Sequence, residues 1–500
     1  MGGLERKKGP RPQPASTAEI FVSSSETTKT VGRAVRAGNA RKIGPRLYTA
    51  NMTDRPEDIV RRNLWRVVSL VAPGSVIAYR TALEMAPSPE GTIFLSGAGK
   101  HDIDLPAIRL RITKGPGPLP GDQPFMQHLH IASQARALLE SLKPSRKGAS
   151  ISRGLTRARV EEILEQELQG AGEAKLNRIR DAARPLVPQL DADREFEVLS
   201  SIIGTLLGSR HGRLSAPVAL ARAAGEPYDS KRLEVFQALH GALVRWPAVS
   251  RPDVLPTDAE FSVISFFDAY FSNFIEGTRF TVEEAREIVF GGKIPAARPQ
   301  DAHDVLATFR IVGSRTAMGR GVADFADYAS FERALREAHA DMMASRPDQR
   351  PGAFKKEANV AGDTTFVAPD LVAGTLRRGF EVIRGLSNPF QKAAAVMFVL
   401  SEVHPFDDGN GRIARAFMNA ELISGGQRRI LIPSVYRDEY LTGLRVLTRQ
   451  GHPDPFLKAL DFAQEYTASV GFSDYDRAVA VLRATNAFED PRPDLRLRLP

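Results

Sequence analysis

Residues 404–415 read His-Pro-Phe-Asp-Asp-Gly-Asn-Gly-Arg-Ile-Ala-Arg, a short polar stretch between two apolar segments. Upstream, residues 391–403 are apolar and helix-forming, and Asn388 followed by Pro389 is a typical helix start. Downstream, apolar residues recur at helical spacing as far as Gly425-Gly426, a typical helix stop. The pattern therefore predicts a helix, a tight loop and a second helix.

The N-terminus of the second predicted helix is suited to bind phosphate. Gly409, Asn410 and Gly411 place unpaired backbone N–H groups there, and the positive end of a helix attracts anions. Because Gly411 has no side chain, a phosphate can approach the backbone closely. Arg412 and Arg415 are three residues apart, so we expect both on one helical face beside that anion site. We interpret the loop as a cradle for a polyphosphate.

Two further side chains of this stretch supply reactive groups. His404 has a reference pKa of about 6.5, so at neutral pH it can accept a proton from an attacking hydroxyl. Asp408 is a hard oxygen ligand next to the expected phosphates. Magnesium is usually bound in this way, by one carboxylate together with the substrate. The sequence thus predicts His404 as a general base and Asp408 as a metal ligand.

The twelve residues match the H-x-F-x-D/E-G-N-G-R-x-x-R signature of the Fic family, so the chain resembles a Fic-type nucleotidyltransferase. The resemblance implies that His404 deprotonates a Ser, Thr or Tyr hydroxyl of a target protein. That oxygen attacks the α-phosphate of ATP, AMP is transferred, and Mg-pyrophosphate leaves. Family variants with lysine at the 411 position can transfer phosphate instead, so Gly411 favours AMP transfer. ATP is the expected substrate and Mg²⁺ the expected metal.

A second motif precedes the first. Ser272-Asn273-Phe274-Ile275-Glu276-Gly277 matches the S/T-x-x-x-E-G/N inhibitory helix of the family. Ser272 and Glu276 are four residues apart and are expected on one side of a short helix that Gly277 can end. The resemblance implies that Glu276 pairs with Arg415, keeps it from the γ-phosphate and misplaces the α-phosphate. The alternative is a surface glutamate at a helix end.

A hairpin is expected between the two motifs. Apolar and β-branched residues flank Gly362-Asp363, which has the composition of a hairpin tip. In the family such a hairpin, the flap, pairs with the target peptide as an added strand and holds its hydroxyl near the histidine. The expected docking residues are Val360, Thr364, Thr365 and Phe366.

Aromatic residues follow the main motif at the place where family members often line the base pocket. Tyr436 and Tyr440 are the two candidates. Either of them could stack on adenine, and either could equally be a structural aromatic.

The first fifty residues carry ten basic residues against three glutamates. Thr27 or Thr28 can cap a helix, and residues 41–49 are expected to form a basic hairpin. Helix followed by hairpin is the winged-helix layout, and the segment resembles the winged-helix domain of abortive-infection-type antitoxin regulators. The predicted DNA contacts are Lys29, Arg33, Arg36, Arg41, Lys42 and Arg46. The alternative is a flexible basic segment; residues 1–14 are predicted to be a disordered basic tail.

The predicted fold is multidomain. A small winged helix, residues 15–55, precedes an α/β middle domain, residues 56–190, which resembles the regulator-like domain ahead of some Fic domains. A helical connector over residues 191–257 is expected to end in a linker near residues 251–257. The mostly α-helical Fic domain with its flap then covers residues 258–470. A helix and a tail are expected over residues 471–500, and residues 489–500, which are rich in proline and charge, are predicted to be disordered.

Composition limits the possible functions. The chain of 500 residues has a net charge of +9 and no cysteine, which excludes disulfides, thiolate catalysis and cysteine-bound zinc. No apolar run approaches the roughly 18 residues that span a bilayer, and no secretory signal is apparent, so a cytoplasmic protein is expected. The preferred function is autoinhibited transfer of AMP to a protein, in a possible homodimer. The alternative is a DNA-binding regulator or antitoxin-like protein whose nucleotide site is a sensor or inactive.

Overall fold

The structure is a computed structural model that describes residues 18–144, 151–247, 250–253 and 257–500. The chain divides into two compact units, Met1–Leu220 and Ala221–Pro500. The predicted disordered tail of residues 1–14 lies outside the described residues. Within the described ranges, no helix combines the length and the apolar character that crossing a membrane requires.

Unit 1 contains both sheets and helices, as the pattern of residues 56–190 predicts. Its strands are β1 (Ile20–Val22), β2 (Arg41–Gly44), β3 (Leu47–Thr49), β4 (Val76–Ile77), β5 (Thr92–Gly97), β6 (His101–Leu105), β7 (Ile108–Lys114), β8 (Gln123–Phe125) and β9 (Leu129–Ile131). Its helices are α1 (Thr28–Arg36), α2 (Pro56–Arg62), α3 (Leu64–Val71), α4 (Tyr79–Glu84), α5 (Gln134–Leu142), α6 (Arg157–Ala171), α7 (Glu173–Ala183), α8 (Val187–Leu190), α9 (Asp193–Leu206) and α10 (Pro217–Ala223), whose last residues belong to the second unit.

The strands of unit 1 form two sheets. The small sheet is antiparallel with the order β1-β3-β2. The large sheet is mixed with the order β6-β7-β5-β4-β9-β8, in which β5 pairs with β7 and β4 pairs with β9 in parallel. In β7, Ile108, Leu110 and Ile112 are buried while Arg109 is exposed, which is the alternation that the sequence predicts.

The small sheet shares its core with the large one. Ile20, Ile43 and Leu47 are buried in the same apolar cluster as Leu95 and Leu110 of the large sheet. The boundary predicted between residues 55 and 56 therefore does not separate two cores. Because the segment from β1 to β3 has only about thirty residues, it has too little apolar surface to form a core of its own. It therefore buries its apolar side chains in the larger core of unit 1. The winged-helix interpretation stays a prediction.

Unit 2 is mostly helical. Its further helices are α11 (Ser230–Arg245), α12 (Asp258–Ile275), α13 (Val282–Val289), α14 (Pro299–Val312), α15 (Arg315–Met318), α16 (Tyr328–Met342), α17 (Val372–Arg384), α18 (Pro389–Val403), α19 (Asn410–Ser424), α20 (Arg437–Gln450), α21 (Asp454–Ser469) and α22 (Tyr475–Ala484). One hairpin, β10 (Val360–Ala361) and β11 (Thr364–Thr365), has Gly362-Asp363 at its tip.

Helix α18 is the centre of unit 2. Asn388 caps it by accepting hydrogen bonds from the backbone N–H groups of Phe390 and Gln391, and Pro389 occupies its first turn. Most of its residues are buried, because α11, α17 and α19 pack around it. The helix carries the motif loop at its C-terminal end, so the rigid core positions that loop.

The predicted helical connector of residues 191–257 is not a separate element. Helix α9 buries Leu199 and Ile202 against α5 and α7 of unit 1. Helix α11 instead buries Phe236 and Leu239 in the core of unit 2. The boundary between the units falls between these two helices because each buries its apolar face in a different core.

Three local predictions differ from the structure. The helix that ends at Ile275 has 18 residues and is not short, because Thr257 starts it with a capping box. Within the predicted linker, Arg251 forms an ion pair of 2.7 Å with Asp461. The tail predicted to be disordered, residues 489–500, has no helix or strand, yet Leu497 is buried in the core around α12. Composition alone does not reveal such isolated anchor residues.

Two helical glycines test the packing of unit 2. A Cβ at Gly374 in α17 would overlap the carbonyl oxygen of Pro227, whereas a Cβ at Gly241 in α11 would have only the flexible end of Arg245 nearby, at 3.7 Å. We expect Gly374→Ala to lower the free energy of unfolding by about 1–3 kcal/mol. The matched variant Gly241→Ala should raise it by about 0.4–1 kcal/mol. Thermal unfolding midpoints measure both; a Gly374→Ala midpoint equal to or above that of the parent would contradict this packing.

Candidate functional site

The motif loop is a tight turn between α18 and α19. Its two ends have left-handed backbone conformations, with φ of 51° at His404 and 76° at Gly409. The side chain of Asn410 closes the turn. Its Oδ1 accepts a hydrogen bond of 2.9 Å from the N–H of Phe406, and its Nδ2 donates one of 2.9 Å to the carbonyl of Phe406. Asn410 therefore shapes the loop through its side chain.

A second histidine packs against the buried side of the motif loop. His339 of α16 is fully buried, and its ring stacks on Phe406 at 3.6 Å between ring centres. Its Nδ1 accepts the N–H of Gly352 at 2.9 Å, so Nε2 carries the proton and donates to the carbonyl of Asp408 at 2.9 Å. Burial lowers the pKa of His339 to about 4, which keeps the ring neutral. No spacing in the sequence points to His339, because its partners Gly352, Phe406 and Asp408 are distant in sequence.

His404 is held in the tautomer that a general base needs. Its Nδ1 lies 3.2 Å from the carbonyl oxygen of Ser401. Since a carbonyl only accepts, Nδ1 carries the proton and Nε2 keeps a free lone pair. The ring of Phe366 stacks on the imidazole at 3.8 Å. Burial lowers the pKa of His404 to about 4, so the imidazole is neutral at pH 7.

A cavity of about 540 Å³ lies beside His404, a volume in the usual range for small-molecule sites. It is bounded by the hairpin, the end of α12, the start of α19 and one face of α20. The predicted site residues that line it are Glu276, Thr364, Phe366, His404, Gly411, Arg415 and Tyr440. A larger cavity of about 630 Å³, beside Phe280 and Arg483, contains none of them.

Arg415 is bound to the end of α12. Its Nε donates to Ser272 Oγ at 2.9 Å, and its Nη2 donates to the Ser272 carbonyl at 2.8 Å and to Glu276 Oε1 at 2.6 Å. Arg415 is almost completely buried, while Glu276 is partly exposed to the cavity. The pair of Glu276 and Arg415 that the resemblance implies is thus present.

The Glu276 carboxylate also lies directly over Gly411. A Cβ at position 411 would overlap Glu276 Oε1, so only glycine leaves room for that oxygen. Gly411 is in the first turn of α19, which has no side-chain cap, so its free N–H groups are available to an anion. The carboxylate therefore lies close to the position that a phosphate at this helix terminus would occupy.

Arg412 is not in the cavity, contrary to the expectation that both motif arginines face one anion site. It is 3% exposed, with Nη1 3.1 Å from Asp304 and Nη2 3.5 Å from Asp408. Asp304, on α14, also pairs with Arg346 at 2.7 Å. A buried carboxylate needs cationic partners, and Arg412 is one of them. Helical spacing alone does not reveal that Asp304 competes with the expected anion site for Arg412.

The two aspartates of the motif have different environments. Asp407 forms a two-bond ion pair with Arg350, at 2.7 and 2.8 Å. Asp408 has a side chain that is 47% exposed, and it is the motif carboxylate left for a divalent cation. Among the residues that the structure describes, no group of three or more His, Asp or Glu side chains could bind a metal without a substrate.

The two tyrosines proposed for the base pocket are in different places. Tyr440 is buried and lines the cavity, and its hydroxyl lies 3.9 Å from Met397 Sδ. Tyr436 does not line the cavity; its ring packs against Phe462 at 5.2 Å. Only Tyr440 is therefore placed to contact a ligand in this cavity.

The hairpin is located where the sequence predicts the flap. Val360 pairs with Thr365, and Val360 is 60% exposed. Each strand has only two residues, so contacts with other elements must hold the hairpin in place.

The basic residues of the N-terminal segment are only partly available. Arg41 donates to the carbonyl of Asp54, and Arg46 donates twice to the carbonyl of Ser23, at 2.9 and 3.0 Å. The other four predicted DNA contacts are exposed on α1 and β2: Lys29, Arg33, Arg36 and Lys42.

Comparison with known proteins gives a family match at the motif. Residues 329–422 match the sequence model of the Fic/DOC family. Protein adenylyltransferase fic-1 of Caenorhabditis elegans is 26% identical over 201 residues, which are 39% of this chain and 38% of that protein. Protein adenylyltransferase Fic of Drosophila melanogaster is 27% identical over 253 residues, 48% of this chain and 46% of that protein. The chain thus spans less than half the length of these relatives.

Two solved structures are also similar. Fic-1 from C. elegans aligns with a TM-score of 0.36 and 18% identity, covering 66% of this chain and 90% of that chain. A Fic domain containing signaling protein from Bacteroides thetaiotaomicron aligns with a TM-score of 0.36 and 17% identity, covering 51% and 98%. Residues 329–422, which include the motif loop, thus match the Fic/DOC family, and they are the part of the chain that the family model covers.

Proposed function

We propose that the chain transfers AMP from ATP to a Ser, Thr or Tyr hydroxyl of a protein and that Glu276 restrains this reaction. The observation that carries the proposal is one cavity that contains a neutral His404, the open N-terminus of α19 at Gly411, and Arg415. The relatives named protein adenylyltransferases support a nucleotide donor and a protein acceptor.

In the proposed reaction, Nε2 of His404 takes the proton of the target hydroxyl. The hydroxyl oxygen then forms a bond to the α-phosphorus of ATP, and the bond from that phosphorus to the bridging oxygen breaks. The electron pair leaves with pyrophosphate. The N–H groups of α19 and the Arg415 guanidinium stabilise the phosphate charge. Asp408 would hold Mg²⁺, which when bound neutralises phosphate charge.

The restraint by Glu276 is a competition between anions. Arg415 donates to Glu276 in the resting structure, and the same carboxylate lies over Gly411. A triphosphate that uses both groups must displace Glu276 or bind in a different position. Ser272 keeps two hydrogen bonds to Arg415 if Glu276 is removed. Loss of the carboxylate should therefore free the site without loss of the arginine's position.

We expect Glu276→Gly to incorporate label from α-labelled ATP into itself at least about tenfold faster than the parent. A tenfold change in rate corresponds to a change of about 1.4 kcal/mol in activation free energy. Electrophoresis with autoradiography measures the incorporation. The matched control is the same protein with His404→Ala, which should incorporate none. Equal or lower incorporation in Glu276→Gly would remove the inhibitory role, and transfer by the His404→Ala control would remove the base.

The position of the retained label separates the alternative functions. Label retained only from γ-labelled ATP would indicate a kinase. No label from either position in any of the proteins would favour the regulator or antitoxin-like alternative.

The lowered pKa of His404 predicts the pH dependence of transfer. The neutral imidazole is the active form, so a pKa near 4 keeps the base active at lower pH than a free histidine allows. In Glu276→Gly we expect the acid loss of rate to have its midpoint below pH 5. Phe366→Ala uncovers one face of the ring and should move the midpoint up towards 6.5. Circular dichroism at each pH controls for unfolding, and a midpoint near 6.5 in the Glu276→Gly protein would contradict the buried environment.

A second candidate function, DNA binding, concerns unit 1. The specific observation is that four basic side chains are exposed, Lys29, Arg33 and Arg36 on α1 and Lys42 on β2. Exposed basic side chains suit a phosphate backbone.

We expect the full chain to retard duplex DNA in a mobility-shift assay, with affinity that falls as salt rises. Replacing Lys29, Arg33, Arg36 and Lys42 by alanine should abolish the shift, because these exposed side chains supply the phosphate contacts. Replacing Arg41 and Arg46, whose guanidinium groups bind backbone carbonyls, should weaken it less if the protein stays folded. DNA binding that is absent, or unchanged by the fourfold replacement, would remove this function.

A further inference from the structure

A buried carboxylate lies next to the site but takes no part in the proposed reaction. Glu402, on α18, is 1% exposed and precedes His404 by two residues. Its Oε2 accepts a hydrogen bond of 2.6 Å from Thr448 Oγ1, and its Oε1 forms an ion pair with Arg232 of α11. Thr448 lines the cavity beside His404. A buried carboxylate with one specific polar partner on each of two other helices indicates an interaction that the fold maintains.

Arg232 connects Glu402 to the hairpin. One nitrogen of its guanidinium, Nη1, binds Glu402, and the other, Nη2, donates to the carbonyl oxygen of Thr365 in β11. Asp229 caps the start of α11, and its Oδ2 lies 3.9 Å from Arg232 Nε, which restricts the conformation of the Arg232 side chain. The planar fork of arginine can reach two acceptors at once, which a lysine cannot do with the same geometry.

Other contacts hold the base of the hairpin and strand β11. At the base, Asn359 Nδ2 donates to the carbonyl of Phe406 at 2.9 Å, and Lys355 Nζ donates to Asn359 Oδ1 at 2.7 Å. Arg449 of α20 donates to Thr364 Oγ1 at 3.2 Å, and Phe366 stacks on His404. The strands themselves contain two residues each, and both Val360 and the tip are exposed. The base of the hairpin is thus bonded to the motif loop, whereas β11 is held by side chains that reach it from α11 and α20.

We propose that Glu402 is a positioning residue that holds Arg232 so that the hairpin stays closed over His404. The same carboxylate fixes the position of Thr448 in the wall of the cavity. The role in catalysis rests on the proposed AMP transfer; the closure of the hairpin does not. Glu402 contacts neither the cavity nor the reacting atoms, so it acts through Arg232 and Thr448.

The closure can be measured without activity, because the chain has no cysteine. A spin label on Asp363→Cys, at the exposed tip, reports hairpin motion by electron paramagnetic resonance. In this labelled protein, Arg232→Ala should convert the immobilised spectral component to a mobile one. Arg232→Lys should do the same, since it keeps a charge for Glu402 but cannot bridge to Thr365. Arg378→Ala, which removes an exposed ion pair with Glu381 on α17, is the control and should change nothing.

Glu402→Gln tests the carboxylate itself with little risk to folding, because an amide has the same shape and can still bond to both partners. We expect an intermediate mobility, and Arg232→Ala combined with Glu402→Gln should be no more mobile than Arg232→Ala alone. A label that stays immobilised in Arg232→Ala would overturn the proposal. So would a combined variant that is clearly more mobile than Arg232→Ala, since Glu402 would then act by another route.

Transfer kinetics in the Glu276→Gly background give the second readout. A hairpin misplaced by about 1 Å can cost on the order of 10²-fold in rate, so Arg232→Lys should lower kcat for self-modification by roughly ten- to a hundredfold. The KM for ATP should change much less. A mobile hairpin with an unchanged kcat would overturn the positioning role. Absence of transfer in Glu276→Gly itself would instead remove the proposed function and leave the hairpin closure standing on the resonance measurement.

Discussion

The closure of the motif loop by Asn410 is the constraint on which the site depends. One side chain satisfies both backbone groups of Phe406, so α18 can end and α19 can begin within a few residues. The left-handed conformations at His404 and Gly409 make this turn possible. As a result, the imidazole at the end of one helix and the free N–H groups at the start of the next face the same cavity.

Buried charge is arranged around this turn so that few groups remain available. Asp407 is used by Arg350, and Arg412 is used by Asp304. What remains for a ligand is the half-exposed carboxylate of Asp408, which lies 3.5 Å from Arg412, and one arginine, Arg415, which is itself bound to the end of α12. Charges that satisfy one another inside the fold keep the loop rigid, whereas those at its surface are free to exchange partners.

The neutral state of both histidines follows from the same packing. His339 and His404 each stack on a phenylalanine, and burial lowers the pKa of each to about 4. Their roles differ because of their second partners. His339 bonds through both nitrogens to the backbone, which leaves it no free lone pair, whereas His404 uses only Nδ1. The same aromatic cover therefore keeps both imidazoles neutral, and of the two only His404 retains a nitrogen lone pair that can accept a proton.

The sequence by itself determined the elements that depend on local chemistry: the capped helix from Pro389, the turn, the helix that ends before Gly425, and the hairpin tip at Gly362-Asp363. Only the tertiary structure decided which of two aspartates stays half exposed, which of two arginines lines the cavity, and that His339 and Glu402 support the loop and the hairpin. Caps and helical periods arise between residues a few positions apart and can be read along the chain. The partner of a buried charge is chosen by helices that meet only after folding, and no spacing in the sequence records that choice.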